Sequence, residues 1–153
     1  MEPVTAVAIV GESDSGKTTL VERIVERLAQ DAAVGTIKHI GCSPSLDTAG
    51  KDTDRHRTAG ATETYGIAGD QWFAVGDSLS LSIALDRLAR TCDYVIVEGY
   101  HESALPKIAL GTPKSAYQNV VLTGETGWSI DLDEVMAVID ELEPVRPELL
   151  DGV

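Results

Sequence analysis

The chain has 153 residues, 43% hydrophobic and 24% charged, a balance that fits one domain with its own core and excludes a disordered tail or a fibrous repeat. Acidic residues outnumber basic ones by 25 to 12, for a formal charge of -13, which repels a phosphate backbone over most of the surface and argues against nucleic acid as a partner. No apolar run reaches the roughly 20 residues needed to cross a bilayer, and the N-terminus has no signal-type pattern, so a cytoplasmic location without membrane contact is expected.

Residues 5–10 are nearly all apolar and β-branched, as in a buried strand, and run into a glycine-containing loop. Over residues 18–29, Leu20, Val21, Ile24, Val25 and Leu28 recur at three- and four-residue intervals, with Glu22, Arg23, Glu26 and Arg27 on the other face. That spacing predicts a helix with one stripe on a sheet. Residues 33–38 read as a second strand. Residues 42–60, rich in Ser, Thr, Asp, Gly and basic side chains, read as a functional loop.

Residues 65–68 and 71–75 predict two short strands joined at Gly69-Asp70, a pair suited to a hairpin turn. Leu79, Ile83, Leu85 and Leu88 give helical spacing, with Asp77 or Ser78 as the cap. Residues 94–97 are a wholly apolar strand, and 107–110 and 119–122 are further strand candidates. Residues 132–142 repeat the amphipathic pattern after Asp131, until Pro144 and Pro147 break it. The tail after about residue 144 is expected to be loosely held.

Strands alternating with helices predict an α/β fold of three layers, with a mainly parallel sheet covered on both faces, in a single domain over residues 1–153. Ligands of such sheets bind beyond the carboxyl ends of the strands, so the loops after Val10, Lys38 and Val97 are where function is expected. Cys42 and Cys92 have no partner at a metal-ligand spacing and read as spectator thiols, with Cys92 inside an apolar strand. His39, His56 and His101 are too scattered to argue a metal site, and Trp72 and Trp128 read as packing residues.

Gly11, Glu12, Ser13, Asp14, Ser15, Gly16, Lys17 and Thr18 match the phosphate-binding pattern G-x-x-x-x-G-K-[ST], and Thr19 adds a second hydroxyl at the helix start. In such a loop the glycines let backbone N–H groups turn inward, Lys17 reaches the β and γ phosphates, and the Thr18 hydroxyl can ligate Mg²⁺. The helix N-terminus adds partial positive charge. A strand before the pattern and an amphipathic helix after it make a nucleoside triphosphate the expected ligand, with Lys17 and Glu98 as the catalytic pair. Glu98 emerges at the carboxyl end of an apolar strand, where a metal carboxylate is needed, whereas Asp93 lies at the opposite end. Lys38, ending the second strand, is a further phosphate-ligand candidate.

Residues 47–50 spell D-x-x-G, the switch string of signalling GTPases, but no apolar strand precedes Asp47 as that role requires. Lys51, Arg55, His56 and Arg57 concentrate positive charge in a very acidic chain, which suits a second anion. The same charges can also be a solvated segment balanced by Asp47, Asp52 and Asp54.

The order of three segments resembles the molybdopterin-guanine dinucleotide biosynthesis protein B family, MobB. They are the phosphate loop, then Ile37-Lys38-His39 with Gly50-Lys51-Asp52-Thr53-Asp54-Arg55-His56-Arg57-Thr58-Ala59-Gly60-Ala61, then Val97-Glu98-Gly99-Tyr100 with Leu105-Pro106-Lys107-Ile108. The resemblance implies a homodimeric P-loop protein that binds GTP, hydrolyses it weakly with Mg²⁺ held by Thr18 and Glu98, and assists the molybdopterin guanylyltransferase, protein A, in molybdenum cofactor biosynthesis. It further implies that Lys51, Asp52, Arg55 and His56 form a family loop for a second anion or the cofactor. Where the family commonly has a second histidine after the Lys-His pair, Gly41 and Cys42 stand here, and no N-K-x-D string reads guanine; Thr123-Gly124-Glu125 is the candidate base contact.

Two readings compete with a slow GTPase: a non-catalytic adaptor that binds nucleotide or cofactor, and a small-molecule kinase or ligase of the same fold. The acidic excess suits a salt-rich cytoplasm, because hydrated carboxylates stay soluble there and screening removes their repulsion. The melting temperature is therefore expected to rise with KCl up to molar concentration, and a flat or falling profile would rule out the halophilic reading.

Overall fold

The structure is a computed structural model that describes residues 1–41, 46 and 51–150. They form two compact units, one of Met1–His39 with Leu81–Val153 and one of Ile40–Ser80. Cys42 and the D-x-x-G string at 47–50 lie outside the described residues.

The larger unit is built on five parallel strands: β1 (Thr5–Gly11), β2 (Val34–Lys38), β5 (Tyr94–Glu98), β6 (Lys107–Leu110) and β7 (Val120–Gly124), in the order β2-β5-β1-β6-β7. Its helices are α1 (Lys17–Leu28), α3 (Leu81–Ala89) and α4 (Leu132–Asp140). Side chains alternate across a strand, so β1 feeds two cores. Val7 and Ile9 join Leu20, Ile24, Val135 and Ile139, the α1 and α4 side, whereas Ala6, Ala8 and Val10 join Leu81 and Leu85 of α3. Three layers result, the α/β architecture with a mainly parallel sheet that the strand pattern predicts.

Four local expectations are corrected. Helix α3 starts at Leu81 and buries Leu81, Ser82 and Leu85, while Leu79 precedes it and Ile83 faces outward; the stripe runs through Leu81 rather than Leu79. Cys92 lies between α3 and β5, not inside the strand, and its N–H donates to the carbonyl of Leu88 just beyond the end of α3. Residues 145–150 are not loose: Val4 and Val145 exchange both backbone hydrogen bonds at 3.0 and 2.8 Å, Pro147 is buried in a 3-10 turn (Pro147–Leu149), and Val145 and Leu150 pack on the α3 core. Proline ended the helical pattern without ending the packing.

The fourth correction lies in the smaller unit, where Asp52–Thr58 is a helix, α2, rather than loop. Asp52 and Asp54 occupy its first turn and Arg55, His56 and Arg57 its last, the arrangement that complements the helix dipole. Strands β3 (Glu63–Ala68) and β4 (Gln71–Gly76) form the expected antiparallel hairpin through Gly69-Asp70, with Ile67 opposite Trp72. Trp72 is 68% exposed and stacks on Tyr65, its ring centroid 5.9 Å away, instead of entering a core.

Lys107 is fully buried at the start of β6, where its ammonium donates to the carbonyls of Ser103, Leu105 and Gln118. Burial among apolar neighbours pushes its pKa down, and the three carbonyls stand in for the water it has lost. Removing residues 144–153 is expected to cost about 2 kcal/mol in urea unfolding, from two backbone hydrogen bonds and the apolar surface of Val145, Pro147 and Leu150. An unchanged midpoint would mean that this segment adds nothing.

Candidate phosphate-binding site

The loop between β1 and α1 has the backbone that the phosphate pattern demands. Gly16, with φ 88, serves as the N-cap of α1; a Cβ there would be strained and would meet Cε3 of Trp128 at 2.7 Å, so the position admits only glycine. Asp14 is also left-handed, with φ 64. Around the loop lies a concavity of about 600 Å³, lined by Ser13, Asp14, Gly16, Lys17, Thr18, Thr19, Lys38, Glu98 and Trp128.

The candidate residues divide at this point. Ser13, Asp14, Gly16, Lys17, Thr18, Thr19, Lys38 and Glu98 share one concavity, as strands β1, β2 and β5 bring their carboxyl ends together. Gly11, Glu12 and Ser15 do not line it. The Glu12 carboxylate pairs with Lys114 at 2.8 Å, whose ammonium holds it below the ordinary carboxylate range. The Ser15 hydroxyl is buried without a partner. The Lys17 ammonium bends back onto its own loop, donating to the carbonyls of Gly11 at 2.9 Å and Glu12 at 3.0 Å.

Glu98 is the electrostatic centre of the site. In the parallel ladder it stands opposite Lys38 on one side and Ile9 on the other. One carboxylate oxygen accepts the Thr18 hydroxyl and the other pairs with the Lys38 ammonium at 2.9 Å. Burial alone raises this carboxyl's pKa, but the Thr18 hydroxyl and the charges of Lys38 and Lys17 outweigh it, and the group lies below its ordinary value. The Thr18 hydroxyl and the Glu98 carboxylate are hard oxygen donors in direct contact, a pair that fits a hard divalent cation such as Mg²⁺. Among the described residues no three His, Cys, Asp or Glu side chains gather into a metal site.

In the smaller unit Asp52, Arg55 and His56 line a separate concavity of about 480 Å³ with Ala59, while Lys51 precedes the helix and lies outside it. Helical spacing, rather than a loop, puts Asp52, Arg55 and His56 on one face.

Two residues escaped the sequence reading. Trp128 is not a packing residue: it is 59% exposed and stands at the phosphate loop. Arg23, assigned only to the outer face of α1, donates to the carbonyls of Gly127 at 2.7 Å and Ile130 at 3.0 Å. The available signal was a glycine-aromatic pair just beyond a parallel strand, in Gly124-Glu125-Thr126-Gly127-Trp128.

Because the Glu98 carboxyl is depressed in the folded state, its stabilising charge is present above the ordinary carboxylate pKa of about 4.3 and is lost as pH falls through the folded value. Glu98→Gln is therefore expected to be less stable than the parent at pH 7 and to converge with it in urea unfolding as pH falls below the folded value. A gap that does not change with pH would show that shape, not charge, makes the difference.

The sequence matches the family model described as molybdopterin guanine dinucleotide synthesis protein B, MobB, over residues 6–141. It is 29% identical to a Haemophilus influenzae protein called molybdopterin-guanine dinucleotide biosynthesis adapter protein, covering 93% of this chain and 85% of that one. A longer Haloferax volcanii protein called a probable molybdopterin synthase is 31% identical, with 89% of this chain covered but only 48% of the relative. Among solved structures, a crystal structure of Bacillus subtilis MobB superposes with a TM-score of 0.61 at 31% identity, covering 80% of this chain and 77% of the other. With the fold, the phosphate loop and the family model in agreement over most of its length, the chain belongs to the MobB family.

Proposed function

We propose that the protein is an adapter of molybdopterin guanine dinucleotide biosynthesis that binds GTP at the β1–α1 loop and hydrolyses it slowly with Mg²⁺. The observation that carries this is the contact of Thr18 with Glu98 inside the concavity of the phosphate loop. In the bound state Lys17 leaves the carbonyls of Gly11 and Glu12 for the β and γ phosphates, and Lys38 supplies a second cation at the terminal phosphate. Thr18 and Glu98 would hold Mg²⁺, which when bound neutralises charge that builds on the phosphates.

The pace of hydrolysis follows from the carboxylates available. Of the described residues lining the concavity, Asp14 and Glu98 carry carboxylates, and Glu98 is engaged by Thr18 and Lys38. A group so occupied is a poor base for an attacking water, which favours slow turnover or the adaptor reading, in which the bound nucleotide itself is what a partner senses. The partner in this proposal is the molybdopterin guanylyltransferase, protein A, and the protein acts as a homodimer. The Asp52, Arg55 and His56 face, with Lys51, is assigned to the phosphate of the molybdopterin cofactor.

Calorimetry with GTP and with ATP, together with phosphate release in the presence of protein A, tests the proposal. Lys17→Ala is expected to abolish nucleotide binding, and Glu98→Ala to reduce Mg²⁺-dependent release at least about tenfold. Unchanged affinity in Lys17→Ala would remove the nucleotide assignment, and release indifferent to Mg²⁺ would remove hydrolysis.

A further inference from the structure

A large aromatic side chain standing open beside a phosphate loop calls for an explanation, since burying an indole is normally among the most favourable steps in folding. Trp128 keeps 59% of its surface exposed, yet the loop that carries it is hydrogen-bonded to the phosphate loop and to α1. Its loop is tied down on three sides. The Gly127 N–H donates to the Ser15 carbonyl at 2.8 Å, and Arg23 from α1 donates to the carbonyls of Gly127 and Ile130. The Thr126 hydroxyl bonds the Ser129 hydroxyl at 2.6 Å and accepts the Ser129 N–H at 3.1 Å. Gly127 comes so close that a Cβ on it would meet the Gly16 carbonyl oxygen at 1.7 Å. The indole is thereby fixed with Cε3 and Cζ3 against Gly16.

Sheet order gives the ligand a direction. Glu98 and Lys38, on β5 and β2, lie to one side of β1, whereas β6 and β7 lie to the other. A polyphosphate held with its terminal group toward Lys38 and Glu98 carries its nucleoside toward the β6–β7 side, and Trp128 follows β7 there, on the wall of the same concavity. From this arrangement we propose that Trp128 is the platform on which the base of the bound nucleotide stacks. The proposal rests on the phosphate-loop reading above. It makes Trp128 a reader of aromatic faces rather than of guanine edges, so it contributes equally to any purine triphosphate, because every base presents a π-face.

Inorganic tripolyphosphate separates the two ideas, since it offers the loop its phosphates and offers Trp128 nothing. In a Trp72→Phe background Trp128 is the sole remaining indole, the chain having two tryptophans. There GTP and ATP are expected to quench its emission, and tripolyphosphate is not. By calorimetry, Trp128→Ala should weaken GTP and ATP at least about tenfold while leaving tripolyphosphate affinity within about twofold, and Trp128→Phe should restore most of the loss. GTP affinity unchanged in Trp128→Ala overturns the proposal. An equal loss of tripolyphosphate overturns it as well, because Trp128 would then merely support the loop. If the parent protein binds no tripolyphosphate, it is the phosphate-loop reading that has failed.

Discussion

The parallel pairing of β5 with β1 and β2 is the constraint on which the site depends. It sets Glu98 opposite both Ile9 and Lys38 in the ladder, and so delivers a carboxylate to the start of α1 from 80 residues away along the chain, where Thr18 meets it. A buried carboxylate left unpaired would neutralise itself by taking up a proton. The hydroxyl of Thr18 and the ammonium of Lys38 keep this one charged, so the same contacts that secure the fold preserve the negative charge a divalent cation would need.

The charged groups of the site are also paired among themselves. Lys38 is engaged by Glu98, and Lys17 by two carbonyls of its own loop. A polyphosphate arriving at this loop would exchange partners with groups already satisfied rather than meet bare cations. Its net gain is a difference between two sets of charge-assisted hydrogen bonds. Such a difference is sensitive to the geometry of the incoming anion, which suits discrimination better than raw attraction does.

What could be read from sequence was whatever local pattern determines. The apolar β-branched run at 5–10, the glycines and lysine of the loop, the amphipathic stripe of α1 and the carboxylate at the end of β5 each carry their meaning within a few residues, and the parallel sheet followed from them. Contacts between distant segments were not legible. Trp128 looked like core because its type usually is, and only the fastening of Gly127 to Ser15 and of Arg23 to the same turn reveals why it stays exposed. Nothing local signals the packing of residues 145–150 either, since the partner of Val145 is Val4, near the start of the sequence. In α2 the signal was present in the order of charges, acidic first and basic last, but a polar composition masked it.

Residues Ile40–Ser80 leave the larger unit after β2 and rejoin it at α3, within a single crossover of the sheet. Every strand that shapes the phosphate loop lies outside this excursion, and the five-stranded ladder is complete without it. Lengthening, recharging or replacing the excursion would therefore leave the hydrogen-bonded register around the phosphate loop untouched. Descendants of such a chain can rewrite this excursion without disturbing the loop and strands that the phosphate pattern depends on.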